Sequence, residues 1–358
     1  MVEGTRQKKI IAVLLAFSCM LMASLISCSD HFQDDPAFQG DIKNMTAYLS
    51  GQLWRGINIG GALEAPSPGE WGVTIEAPYF KEIRNAGFNS VRIPIRFSAY
   101  ADEQVPYQID SAIFNDVDEA VSLAMNEGLN VIINLHHYDS LMSDPMAHLD
   151  RFLAIWGQIS IHYQASPENL IFELLNEPTG KLDPETWNEY ASQAIERIRC
   201  TNPDRRILVG GIDFNRIEAL DLLVLPDDNN LIATFHFYEP FNFTHQGADW
   251  VQDADSWKGT IWHGTNEEQK AIQHQLDRAA AWSSDRGIPI VMGEFGVIRN
   301  ADAASRERWM HFLIQESEKR GISWIIWDFC GDFGIYDCSR GAWDINPGSI
   351  VSSESQNQ

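Results

Sequence analysis

The chain has 358 residues, with 26 basic against 50 acidic side chains and a net charge of −24. That length accommodates two average domains or one large α/β barrel. The acidic balance disfavours nucleic acid or an anionic surface as partner and leaves a neutral ligand as the simpler expectation.

Arg6, Lys8 and Lys9 precede an apolar run over 10–26, the charged and hydrophobic regions of an export signal. The run is too short and too N-terminal for a membrane span. It ends in Leu25, Ile26, Ser27 and Cys28, which resembles the lipobox of bacterial lipoproteins. That resemblance implies an exported protein, cleaved after residue 27, lipidated on Cys28 and tied to a membrane through lipid only; a plain signal peptide is the alternative. Residues 28–44 are acidic and aperiodic and read as a flexible tether, so one folded domain is expected over 45–358.

From there short β-rich runs recur at 54–59, 90–95, 130–135, 170–175, 207–209, 231–235, 289–292 and 323–327. Between them lie helical patterns at 77–86, 114–127, 151–163, 184–199, 217–222, 267–286 and 303–319. Asp183 before Pro184 marks a helix start, and Gly87 and Gly128 mark helix ends. Strand then helix, repeated eight times, predicts a (β/α)8 TIM barrel of class α/β, with a doubly wound sheet as the alternative. The tail after Trp343 makes a poor eighth helix, so closure there is expected to use an irregular segment. Cys330 and Cys338 flank a Gly-rich turn, a setting in which two thiols more often stay free; no cysteine pair has metal-finger spacing.

In a barrel the residues just past each strand converge on one rim. Here they are Asn58 and Glu64, Arg92, His136, His137 and Tyr138, Asn176 and Glu177, His236 and Tyr238, Glu294, and Trp327 and Asp328. Two carboxylates without a third suit glycosidic hydrolysis, in which one protonates the leaving oxygen while the other attacks the anomeric carbon or activates water. Burial or a nearby negative charge keeps the acid protonated, and a cation such as Arg92 keeps its partner ionised. Serine hydrolysis and nucleotide chemistry lack their motifs, since G-x-S-x-G, a P-loop and G-x-G-x-x-G are all absent. A metal centre would draw on His136, His137, His236 and Glu294. Adjacent strand residues point to opposite faces, however, so His136 and His137 cannot readily ligate one ion, and no metal is expected.

The strings RGINIGGALEAP, VRIPIRF, NLHHY, FELLNEP, HFYEPFNFTHQGADW, MGEFG and WIIWDF resemble, in that order, the bacterial endoglucanase branch of glycoside hydrolase family 5. The resemblance implies a (β/α)8 barrel, retaining cleavage of a β-glycosidic bond, and neither metal nor other cofactor. Carried over by motif, Glu177 is the acid/base and Glu294 the nucleophile. Arg92, His136, Asn176, His236, Tyr238 and Trp327 support the cleaved sugar, with Tyr238 bonding the nucleophile and Arg92 lowering its pKa. Glu64, His137, His245 and Trp250 match cleft-lining positions. Gly61 departs from the pattern, where relatives often carry Asn. Plainer readings stand beside these: Arg92 pairing with a core carboxylate, His236 and Tyr238 as packing, and Trp250, Trp257 and Trp262 as a lid on the core. The expectation is a monomeric, endo-acting hydrolase of β-1,4-glucan. A β-1,4-mannanase or a dual enzyme is the nearest alternative, and a non-catalytic surface glycan-binding protein a remote one.

Overall fold

The computed structural model describes residues 53–351, all within one compact unit. The export signal, Cys28 and the tether lie outside the described residues. The eight apolar runs form strands β1 Arg55–Asn58, β2 Ser90–Ile93, β3 Asn130–Asn134, β4 Leu170–Glu173, β5 Ile207–Gly210, β6 Leu231–His236, β7 Ile290–Glu294 and β8 Ser323–Ile326. Each pairs in parallel with the next and β8 pairs back with β1, so the sheet closes and the doubly wound alternative, which leaves open edges, falls away.

The strands read as apolar because both faces are buried. One face packs outward against helices. On the other, Trp54, Ile132, Ile171, Leu208, Ile232, Val291 and Ile325 form an apolar layer inside the barrel. Side chains alternate along a strand, so the next inward position lies two residues further on. There the character changes to Asn134, Glu173 and Thr234, all fully buried. An apolar plug thus fills one end of the barrel and a polar floor lies at the C-terminal end.

Six long helices wrap this sheet: α1 Ala77–Asn85, α2 Ser111–Asn126, α3 Pro145–His162, α4 Pro184–Arg199, α5 Asn266–Arg286 and α6 Ala303–Lys319. Their starts follow capping chemistry. Asp110, Asp183 and Asp302 each accept a backbone N–H of the first turn, and Thr265 with Glu268 completes a capping box. Two starts were placed late by periodicity alone: α2 begins three residues before 114 at its Asp110 cap, and α3 six residues before 151 at Pro145. Segment 217–222 is a 3-10 helix rather than an α-helix.

After β8 the chain makes a small hairpin, Tyr336–Asp337 with Ala342–Trp343, and a five-residue helix, α7 Pro347–Val351. Closure needs no full eighth helix, because Trp343 stacks on Phe88 with ring centres 5.9 Å apart and covers the α1–β2 junction. The expectation that Cys330 and Cys338 stay free is overturned: they form a disulfide, their Cα atoms 5.7 Å apart across the turn at Gly331 and Gly334, within normal bridging range. No helix among the described residues is long and apolar enough to cross a membrane.

Candidate active site

The polar floor is organised by Arg92, which rises from β2 with no solvent exposure. Its Nη1 donates to Asn58 Oδ1 at 2.9 Å and to Glu294 Oε1 at 2.7 Å. Its Nη2 donates to Glu173 Oε1 at 2.9 Å and to Asn176 Oδ1 at 2.7 Å, while Nε donates to Glu173 Oε2. All five guanidinium N–H bonds are used. Both sequence readings of Arg92 therefore hold, since it pairs with the core carboxylate Glu173 and also reaches the rim carboxylate Glu294. Burial opposes its charge, but Glu173 and Glu294 more than offset this and push its pKa up.

Glu294 ends β7 and is almost completely buried. Tyr238 donates to its Oε2 at 2.9 Å. Burial raises the Glu294 pKa above the ordinary carboxylate value. His236, Arg92 and the Tyr238 hydrogen bond all pull it down, so Arg92 acts in the expected direction, while burial is the larger influence and the net shift is upward. Tyr238 itself is held protonated by burial and by the Glu294 charge, which keeps it a donor.

Across from Glu294 stands Glu177, half-buried, on the loop after β4. The strand ends at Glu173, two residues short of the end of the run 170–175. The loop instead stays in register through Leu174 N to Leu208 O at 3.1 Å and Asn176 N to Leu135 O at 3.0 Å. Glu177 has φ 48°, in the left-handed region, a strained position of the kind that gathers at functional sites. Its Oε1 meets His236 Nδ1 at 2.8 Å, and the same nitrogen lies 3.6 Å from Glu294 Oε2. A β-bulge shifts the register between Phe235 and His236, leaving Gly293 of β7 as the extra residue and pairing His236 with Glu294. Burial alone would strip the ring's proton, but the charges of Glu294 and Glu177 outweigh it and its pKa rises. One carboxylate oxygen each from Glu177 and Glu294 and a ring nitrogen of His236 lie within 4.8 Å of one another. Among the described residues this trio, rather than the set with His136 and His137, has donor atoms at ion-binding separations.

The remaining predicted residues surround this pair. His136 stacks on Trp327 with centroids 5.6 Å apart and planes 7° off parallel. Burial drives the His136 pKa far down, so the ring is neutral, and its Nδ1 meets Asn134 Nδ2 at 3.1 Å. Trp327, half-exposed, is joined to Asp328 by a cis peptide. His137 is held neutral by burial and by Arg96. His245 stacks on Phe241 at 4.0 Å, and burial lowers its pKa to about 4. Trp250 is 57% exposed near Phe333, whereas Trp262 is a core residue. Glu64 is buried, and its carboxylate accepts the backbone N–H groups of Gly61 and Ala62. Gly61 has φ 77°, a conformation that Gly and Asn both tolerate. Burial pushes Glu64 up to about 7, and burial together with the Glu64 charge takes Asp328 to about 8.

The sequence model of the family described as Cellulase (glycosyl hydrolase family 5) matches residues 47–332. The chain belongs to glycosyl hydrolase family 5. Endoglucanase H of Acetivibrio thermocellus is 36% identical over 314 residues, which is 84% of this chain and 34% of that protein, so the chain spans about a third of that relative. Cellodextrinase A of Ruminococcus flavefaciens is 28% identical and covers 75% of this chain and 83% of its own length. Among solved structures, endoglucanase Cel5A from the hyperthermophilic Thermotoga maritima superposes with a TM-score of 0.80 at 44% identity, covering 85% of this chain and 96% of that one. Cel5A of the same organism in complex with a mannotriose substrate gives a TM-score of 0.82 at 44% identity over 85% and 98% of the two chains.

In this family 5 chain three site residues escaped the reading by motif. Glu173 is the one charged residue in the apolar run 170–175, and a buried carboxylate demands a cation, which is a signal pointing to Arg92. Trp71, 51% exposed in the loop after β1, packs edge-on to His137 at 5.9 Å; a tryptophan in a Gly- and Pro-rich loop was its only mark. Asn215, after β5, lies 3.3 Å from His236 and had no signal at all, because its position depends on three successive left-handed residues.

Proposed function

We propose that the protein is a retaining, endo-acting β-1,4-glucanase that works by double displacement. The observation that carries this is the pair of carboxylate oxygens from Glu177 and Glu294 within 4.8 Å of one another. That is close enough for direct attack on the anomeric carbon, whereas inverting pairs stand about 6.5 to 9.5 Å apart to admit a water. In the first step a Glu294 oxygen bonds the anomeric carbon, the glycosidic C–O bond breaks, and the proton of Glu177 passes to the leaving oxygen. In the second, Glu177 takes a proton from water, the water oxygen bonds the anomeric carbon, and the bond to Glu294 breaks. Arg92 holds Asn176 by its Oδ1, which leaves the amide Nδ2 to donate to the sugar 2-hydroxyl. Trp327, Trp250 and Trp71 supply flat apolar faces for sugar rings.

The test is reducing-sugar release from carboxymethylcellulose, mixed-linkage β-glucan, glucomannan and galactomannan beside a Glu294→Ala control. Activity on the glucans that disappears in the folded control supports the reading, and activity that persists in the control removes Glu294 as nucleophile. The mannans belong in the panel because a solved relative holds mannotriose. Release from them as well makes the enzyme a dual glucanase and mannanase. We further infer a monomer exported as a lipoprotein through Cys28; the Cys330–Cys338 disulfide supports an oxidising compartment.

A further inference from the structure

His236 meets Glu177 through Nδ1, and the setting of its other nitrogen plays no part in the steps above. Nε2 lies 3.3 Å from Nδ2 of Asn215, which has no solvent exposure. Asn215 closes a turn after β5 in which Asp213, Phe214 and Asn215 have φ of 56°, 61° and 57°. Three successive left-handed residues without a glycine are unfavourable, so such a turn persists only where its surroundings impose it. The surroundings are specific. Phe214 N donates to the carbonyl of Pro178 at 3.3 Å, tying the turn to the residue that follows Glu177. Gly210, the last residue of β5, leaves the space that Asn215 Oδ1 occupies; a Cβ there would overlap it.

The recess around Nε2 is polar and incompletely bonded. Asn215 Oδ1 and Thr234 Oγ1 are both buried without a partner. Thr234 precedes His236 by two residues on the same face of β6, and Gly293, lacking a Cβ, borders both Thr234 Oγ1 and His236 Nε2. A neutral ring that donates from Nδ1 to Glu177 accepts at Nε2 from the Asn215 amide. A doubly protonated ring needs an acceptor there, and a half-turn of the carboxamide brings the unpartnered Oδ1 into place.

We propose that Asn215 is a positioning residue for the acid/base: it holds the His236 ring at Nε2 so that Nδ1 meets Glu177, and its carboxamide turns over to serve either charge state of the ring. The proposal rests on Glu177 being the acid/base. The charged and titratable groups facing His236 are Glu177, Glu294 and Arg92, with His136 beyond and Tyr238 on Glu294. Asp213 and Arg216 of the same turn pair with each other at 3.8 Å.

The experiment is kcat/KM against pH for Asn215→Gly, which accepts the left-handed backbone, and Asn215→Asp, which keeps the shape and adds negative charge. Two substrates are compared: mixed-linkage β-glucan, and 2,4-dinitrophenyl β-cellobioside, whose leaving group departs without protonation. We expect Asn215→Gly to lose about tenfold on the glucan and less than about twofold on the aryl glycoside, the size of one lost hydrogen bond to a charged group. Asn215→Asp should hold the ring protonated to higher pH and move the alkaline limb up by about one unit. Should the glycine variant not fold, the aspartate variant decides. Wild-type pH profiles and no substrate contrast in the Asn215 variants overturn the proposal if Glu177→Gln, run alongside, does show the contrast. If Glu177→Gln shows none either, the acid/base reading itself is what fails.

Discussion

Replacing Tyr238 with phenylalanine removes one oxygen atom and one hydrogen bond, the 2.9 Å contact to Glu294 Oε2. His236 Nδ1 lies 3.6 Å from Glu294 Oε2, too distant to substitute fully. A hydrogen bond to a charged group contributes about 1.5 to 3 kcal/mol. If it is lost in the step that forms the glycosyl–enzyme bond, kcat/KM should fall by about 10- to 150-fold. The same bond lowers the pKa of Glu294, so its removal raises that pKa further. The nucleophile must be ionised, so the acid limb of the kcat/KM profile on soluble β-glucan moves to higher pH. Stability should change little, since phenylalanine fills the same space and leaves Arg92 on Glu294. A kcat/KM within about threefold of wild type, with an unmoved acid limb, would refute the assignment of Glu294 as a nucleophile held ionised by its hydrogen bonds.

Arg92→Met should cost about 3 to 5 kcal/mol in urea unfolding, because Glu173 and Glu294 are left buried without their cation; a loss under about 1 kcal/mol would contradict the account of the polar floor. Glu64, raised to about 7, stabilises the fold in its protonated form, fully so below its ordinary value of 4.5 and progressively less as pH rises through about 7. Glu64→Gln should therefore lose less stability than wild type between about pH 5 and pH 8, by up to about 3 kcal/mol, measured by chemical denaturation at both values. Trp250→Ala should raise KM on β-glucan by about tenfold with kcat little changed, as for loss of an exposed stacking surface. Cys28→Ala should move the protein from membrane to soluble fractions on cell fractionation, and unchanged fractionation counts against the lipobox.

The barrel was legible because its signal is local. Each strand is an apolar run buried on both faces, and eight of them alternate with capped helices. The rim residues followed from that placement, so Glu177, Glu294, Arg92, His236 and Tyr238 were found and the structure brings them into contact. What stayed hidden depends on the third dimension. The disulfide required knowing that the Gly331–Gly334 turn brings two Cα atoms to 5.7 Å. The early start of α3 at Pro145 rests on proline's fit to a first turn, which apolar periodicity does not register. Asn215 reaches His236 only through a strained turn and the space left by Gly210 at the end of β5, and no motif spacing encodes that. The net rise of the Glu294 pKa likewise reflects depth of burial, which charge-pair reasoning from sequence leaves out.

The most direct test of the central account is the configuration of the first product, followed by proton NMR of the anomeric signals during the early hydrolysis of a soluble cello-oligosaccharide. Retention by Glu177 and Glu294 predicts that the β-anomer appears first and mutarotates slowly toward equilibrium. An α-anomer at the earliest times would mean direct attack by water, and the double displacement through Glu294 would be wrong.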